Sequence, residues 1–194
     1  MNESASAAIT PFPCNRFIKE IGRGPNGARA LSAEDTHALY TAMLDGRVSD
    51  LELGAVLLAY RVKGESADEL AAMLAAAHAS FEAVQVQPGA YRPVSIPSYN
   101  GARKQPNLVP LLALLLAREG VPVLVHGVTT DPGRVTSAEI FTHLQIAPAQ
   151  NHAEIESGLT TRRLAFAPID VLAPQVARLL GLRRRMGVRN STHT

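Results

Sequence analysis

Polar and apolar positions along the first eighty residues recur with the period of a helix. In "LSAEDTHALYTAMLDG" apolar residues stand at 39, 43 and 44, Ser32 precedes the run, Glu34 and Asp35 fill its first turn and Gly46 follows its last. A serine hydroxyl satisfies one unpaired N–H at a helix start, acids there complement the dipole, and glycine permits the turn that stops the helix. "VSDLELGAVLLAYRVKG" repeats the arrangement with Ser49 and Gly64, and "ESADELAAMLAAAHASF" repeats it with Ser66 and Glu69 at capping-box spacing. A further short helix is predicted over 14–22. Loops of a few residues join these segments, so they pack as neighbours in one helical domain, placed at residues 1–85.

The pattern changes at "QVQPGAY", where a Pro-Gly turn opens a stretch that cannot continue a helix, and residues 86–92 are read as a linker. From residue 93 short apolar runs alternate with helical ones. Strands are predicted near 93–97, 121–126 and 163–167, with helices over about 108–119, 136–144 and 152–160 and a long arginine-rich helix at the end. Strands separated by helices imply βαβ units and a parallel sheet. Three strands make a thin sheet, so residues 93–194 are read as an incomplete α/β domain.

Composition narrows the class. With 46% hydrophobic and 19% charged residues the chain can build an ordinary core. The single Cys14 excludes an intramolecular disulfide framework and a multi-cysteine zinc site, which suits a reducing cytoplasm, and Cys14 itself reads as a small hydrophobe. No secretion signal opens the chain, and the longest uncharged apolar run, residues 108–117, is too short for a membrane span. The net charge of +2 conceals a division: residues 1–90 carry 7 basic and 11 acidic side chains, residues 91–194 carry 12 and 6. Seven arginines, at 162, 163, 178, 183, 184, 185 and 189, share the last stretch with one acid, Asp170. A segregated positive charge points to a polyanionic partner.

In an open α/β sheet ligands bind beyond the carboxyl ends of the strands. "SYNGARKQPN", residues 98–107, is such a loop: Asn107 is placed to cap the next helix, and Arg103 and Lys104 add positive charge beside a helix N-terminus. Tyr99 offers a ring for stacking, and Gly101 suits a left-handed turn. A second loop, "HGVTTDPGRVTS", begins at His126 and carries Arg134; Thr136 or Ser137 caps the helix after it. The six histidines show no zinc-type spacing, and no G-x-S-x-G, P-loop or G-x-G-x-x-G occurs. No catalytic residue and no metal ligand is assigned.

Together, the helical segment 31–73, "REGVPVLVHG" and "LRRRMGVRN" resemble the anthranilate phosphoribosyltransferase-like proteins, the family-three glycosyltransferases. The resemblance implies a small helical dimerisation domain followed by a larger α/β domain of the nucleoside phosphorylase and phosphoribosyltransferase type. Catalytic members carry a Gly-Thr-Gly-Gly-Asp loop for phosphoribosyl pyrophosphate; here Ser98, Tyr99, Asn100 and Gly101 stand in its place. The next family loop continues His-Gly with Asn, Arg and Ser-Ser-Lys, where this chain has Val128, Thr129, Asp131, Pro132, Gly133 and Arg134. The arginine that touches anthranilate in the family corresponds to Arg183. Family members extend beyond residue 194, so the chain is read as shortened at its C-terminus, without the acidic pair that binds magnesium.

With "NGARKQPN" in place of the glycines the chain is most similar to the YbiB-type branch, whose members bind nucleic acid and lack the transferase activity. That branch implies a homodimer that binds DNA or RNA through Tyr99, Asn100, Gly101, Arg103, Lys104, Asn107, His126, Arg134, Arg183, Arg184, Arg185 and Arg189, with the loop and the arginine helix flanking one cleft. It implies no cofactor; magnesium and phosphoribosyl pyrophosphate enter only if the chain is instead a phosphoribosyltransferase of tryptophan biosynthesis. The apolar positions Leu39, Met43, Leu57 and Leu58 are expected to exceed what four short helices bury, and to pair the helical domain with its twin.

Overall fold

The structure, a computed structural model, describes residues 10–24, 26–99 and 105–188. Its elements run α1 (Asn15–Ile21), α2 (Ala33–Asp45), α3 (Asp50–Lys63), α4 (Ala67–Ala79), β1 (Val94–Ser98), α5 (Val109–Arg118), β2 (Val123–Gly127), α6 (Ser137–His143), α7 (His152–Thr161), β3 (Leu164–Pro168), α8 (Ile169–Leu172) and α9 (Pro174–Met186). They fall into two units: one runs through Phe81 and resumes at Gln175, the other is Glu82–Pro174. No helix among the described residues is long and apolar enough to cross a membrane.

The caps read in the helical unit are formed. Ser32 Oγ accepts from Asp35 N, and Ser49 and Ser66 complete capping boxes with Glu52 and Glu69. Each such cap stabilises its helix by about 1 kcal/mol. Gly46 turns α2 off in the left-handed region at φ 77°, with its N–H on the carbonyls of the last turn. The apolar stripes meet in one core around Phe17, Leu39, Met43, Leu57 and Tyr60. Cys14 lies in this core with its thiol toward Phe12 O at 3.6 Å, and burial pushes that thiol up to about 11.

Glu69 does more than cap. It is completely buried and accepts from Leu31 N at 2.9 Å, Ser66 N at 2.8 Å and Lys63 Nζ at 2.7 Å. A buried carboxylate survives only when its lone pairs are filled, and here three donors from separate segments converge on it. Burial pushes the Glu69 carboxyl up, but the Lys63 ammonium and the two backbone N–H groups outweigh it and hold it below the ordinary value.

Two expectations change in this unit. The arginine-rich helix, assigned by pattern to the α/β domain, packs with the helical one: Leu179 of α9 is 1% exposed within the helical core. Arg178 donates to Met43 O at 2.5 Å and Leu44 O at 2.8 Å, satisfying carbonyls that the end of α2 leaves open. It passes so close to Gly46 that a Cβ there would sit 2.6 Å from its Nη1. The apolar pattern of α9 has a helical period that fits either domain, and a period alone does not say which core it joins. The second correction concerns the surplus apolar face: Leu39, Met43 and Leu57 are fully buried in the unit itself, and only Leu58 is exposed. The outward stripe of α3 is instead Leu51, Leu58 and Val62, which share one face at spacings of seven and four.

In the second unit the strands form one parallel sheet in the order β1-β2-β3, with Val94, Val123 and Leu164 in register. Pro97, which lacks an N–H, lies on the edge strand β1, where a missing donor is tolerated. Alternate residues of β3 face opposite ways. Leu164 and Phe166 pack with Val123, Val125 and Phe141, whereas Ala165 and Ala167 pack with Ile155 and Leu159. All of β3 is buried, the continuous apolar run expected of a strand covered on both faces. The chain is thus an α/β protein with a helical N-terminal domain and a small parallel sheet, as its pattern predicts. The one-turn α8 directly after β3 was not expected; four residues are too few to show a period.

Candidate functional site

The parallel strands bring three C-terminal ends to one edge, in the register Ser98, Gly127, Pro168. The approach of β1 to β2 there is very close: a Cβ on Gly127 would lie 2.1 Å from Ser98 O and 3.3 Å from Tyr99 N. Only glycine fits, so the glycine of the His-Gly pair has a packing reason apart from any ligand. Closing β1 onto β2 in this way turns Tyr99 over His126.

Tyr99 Oη and His126 Nδ1 are 2.7 Å apart, and the rings meet edge to face with centroids 5.4 Å apart. Both residues are half-buried. Burial pushes the Tyr99 phenol up to about 12 and lowers His126, so the pair is uncharged at neutral pH. One hydrogen bond joins hydroxyl and imidazole, its direction set by the imidazole tautomer, and neither group contributes a charge to a ligand.

Beside this pair lies a second set of polar contacts. Ser98 Oγ is 2.6 Å from Ser137 Oγ, at the start of α6, and both serines are buried. Asn107 joins them, donating Nδ2–H to Ser137 Oγ at 3.1 Å and to Val135 O at 3.3 Å. Its Oδ1 accepts from Val109 N at 3.3 Å, so Asn107 serves the first turn of α5, although Leu108 holds the N-cap position itself. Thr136 caps α6 in a capping box with Glu139 and also donates to Thr129 O at 2.9 Å, tying the second loop to its helix. Asp131 accepts from Gly133 N at 2.9 Å in that loop. The strand ends are therefore bound to two helix starts by hydroxyl and amide groups, without a buried charge.

Of the predicted residues, Tyr99, Asn107 and His126 come together at this edge. Arg134 is half-buried in the second loop. Asn100, Gly101, Arg103, Lys104 and Arg189 lie outside the described residues. Arg183, Arg184 and Arg185 form the last turn of α9, in the helical unit; Arg184 and Arg185 are exposed, and Arg185 lies 3.9 Å from Asp50 Oδ2. An ion pair that long and that exposed contributes a few tenths of a kcal/mol at most. Ser98 and Ser137 join the edge without a motif to mark them; their signal is a small polar residue at a strand end opposite a helix's first residue. Among the described residues no group of three or more His, Cys, Asp or Glu side chains is placed to hold a metal ion.

Comparison with known proteins agrees with this architecture. Residues 15–81 match the model of the glycosyl transferase family, helical bundle domain. The chain is 45% identical over 179 residues to the protein YbiB of Escherichia coli, covering 92% of this chain and 56% of that one. It is 27% identical over 169 residues to an anthranilate phosphoribosyltransferase of Prochlorococcus marinus, covering 82% and 46%. The crystal structure of anthranilate phosphoribosyltransferase from Thermus thermophilus superposes with a TM-score of 0.70 at 25% identity, over 91% of this chain and 52% of that one. The chain spans about half the length of the curated relatives it matches.

Proposed function

We propose, for a chain whose residues 15–81 match the helical bundle domain of the glycosyl transferase family, that it is a nucleic-acid-binding protein on a phosphoribosyltransferase scaffold, making contacts mainly to phosphate and sugar. One observation carries the reading: Tyr99 stands half-buried on His126 at the strand ends. Transferases of this type need glycine at that turn so that backbone N–H groups reach a pyrophosphate. Here that turn opens on a tyrosine ring bonded to a neutral histidine, which adds bulk and supplies no charge. The positive charge lies elsewhere, on Arg103 and Lys104 of the same loop and on the exposed Arg184 and Arg185 of α9. Cations carried on separate stretches of the chain suit a phosphate backbone, which is long and sequence-neutral, better than one small substrate.

The test is a salt titration of single- and double-stranded DNA and of RNA. Each phosphate contact releases counterions, so affinity falls linearly on a log–log plot, and the change Arg103→Ala with Lys104→Ala lowers that slope by roughly one to two units. Arg184→Ala with Arg185→Ala lowers it by a similar amount. An unchanged slope in both double variants sinks the reading. The similarity to anthranilate phosphoribosyltransferases favours a second reading, a phosphoribosyl transferase; turnover of phosphoribosyl pyrophosphate with magnesium and anthranilate would put it first.

The same proposal includes a homodimer. Leu51, Leu58 and Val62 expose an apolar stripe on α3, and Leu70 and Leu74 expose another on α4. Light scattering of the wild type giving a dimer mass, and of Leu58→Asp giving a monomer, is the expected result.

A further inference from the structure

The α/β unit has a second concave site at the other end of its sheet, where the strands begin. The segment Gln87–Ala90 carries no helix or strand and, with Tyr91, Thr160 and Arg163, lines a cavity of about 300 Å³. That volume lies at the lower end for small-molecule sites. Tyr91 lays the Cδ2–Cε2 edge of its ring about 3.4–3.7 Å from where a Cβ on Gly120 would be, and the residue remains 54% exposed. Gly120, at φ 94°, is in a region that favours glycine, so ring and turn fit each other.

Three arginines gather at this edge. Arg92 precedes β1 and Arg162 and Arg163 precede β3, and β1 and β3 start in register through Val123. No carboxylate among the described residues pairs with any of the three, while Glu119 nearby is engaged by Arg118 and Glu156 accepts from Gln85 N. Arg163 is also held at φ 57°, a left-handed conformation, just past the end of α7. Glycine adopts that conformation without the cost an arginine bears. Arg163 thus stands in a cavity wall, in a conformation costlier for arginine than for glycine and with no carboxylate partner among the described residues.

We propose that this cavity binds one nucleotide unit, its base against the exposed face of Tyr91 and its phosphate on Arg163, with Arg92 adding charge at the rim. An aromatic platform beside a planar guanidinium is the chemistry that holds a flat ring carrying a phosphate. The unit has two possible sources, a free mononucleotide or one residue of a single strand; only the second rests on the nucleic-acid reading above.

The test uses the full chain, isotope-labelled, titrated with adenosine 5′-monophosphate and with a short single-stranded oligonucleotide while amide shifts are followed. Shifts concentrated at Gly89–Arg92, Gly120 and Arg163 are expected with at least one probe. A response to both identifies a mononucleotide site; a response to the oligonucleotide alone identifies a strand contact. Tyr91→Ala is expected to weaken binding about tenfold. Arg163→Gly, which relieves the left-handed strain and so keeps or raises the melting temperature, is expected to weaken it by a similar factor. Unchanged affinity for both probes in these two folded variants, or no shift at the cavity with either probe, overturns the proposal. If oligonucleotide affinity falls in the Arg184/Arg185 variant but not in these two, the cavity proposal alone fails. If the wild type binds mononucleotide here but no oligonucleotide at any salt, the wider reading alone fails.

Discussion

In the helical unit the polar group that ties the core together is a charge, and in the α/β unit it is a set of neutral hydroxyls. Glu69 collects three donors from outside α4, on Leu31, Lys63 and the N-cap Ser66, whereas Ser98, Thr136 and Ser137 are the buried polar residues among those described in the second unit, with Tyr99 and His126 half-buried beside them. A buried charge is costly to take from water and costly to orphan, so it fixes its surroundings strongly. A hydroxyl network is held by bonds of about 1 kcal/mol each and tolerates change more readily. The difference teaches where rigidity and adaptability lie: the helical unit is tied by charged groups, Glu69 and Arg178, and the strand-end edge by several replaceable neutral ones.

The largest test of this contrast is Glu69→Ala. It leaves Lys63 Nζ and two backbone N–H groups without their acceptor, and is expected to destabilise the helical unit by about 3–5 kcal/mol, read as faster hydrogen exchange in α2 and α4. Gly127→Ala comes next. Its Cβ would meet Ser98 O at 2.1 Å, so backbone must move, and a loss of about 1–3 kcal/mol confined to the α/β unit is expected from its exchange rates. Tyr99→Phe deletes one bond of the neutral edge and is expected to lower stability by about 1 kcal/mol, with the His126 imidazole signal moving in proton NMR.

The smallest expected effect separates the units by pH. His126 is lowered by burial, so its neutral form is favoured in the fold; its contribution is complete above the ordinary value of 6.5 and is lost as pH falls below it. Glu69 is also lowered, and its contribution is lost only below the ordinary value of 4.5. Exchange protection in the α/β unit, taken relative to the intrinsic amide rate at each pH, should therefore fall between pH 6.5 and 4.5 while that of α2 and α4 holds. Equal loss in both units over that window would erase the contrast.

How far these features could be read beforehand follows from the range of the contacts. Ser32, Ser49 and Ser66 bond to N–H groups three residues on, so a spacing rule finds them. Thr136 was visible for the same reason; Asn107 was found near its helix start, but it bonds two residues on and Leu108 takes the cap position. The Glu69 tie was half visible: the capping box is local, but Leu31 is 38 residues away and no period records it. Ser98 with Ser137 and Tyr99 with His126 depend on strand register, which the alternation of residues suggests without fixing partners. Arg163's left-handed turn and the cavity beside Tyr91 left no trace in the pattern, because arginine and tyrosine are ordinary residues for a polar loop.

Arg178 reaches across 135 positions to close the end of α2, which makes the α/β unit an insertion within the helical one. During synthesis α1 to α4 leave the ribosome long before α9, and their core lacks Leu179 until the α/β segment has been made. The loop to be closed is then either a disordered tether or a folded module. The entropy of closure grows with the logarithm of the free length, so prior folding of the insertion shortens the effective loop and speeds the docking of α9. Connectivity therefore predicts that a destabilising change in the middle module slows the completion of the outer one.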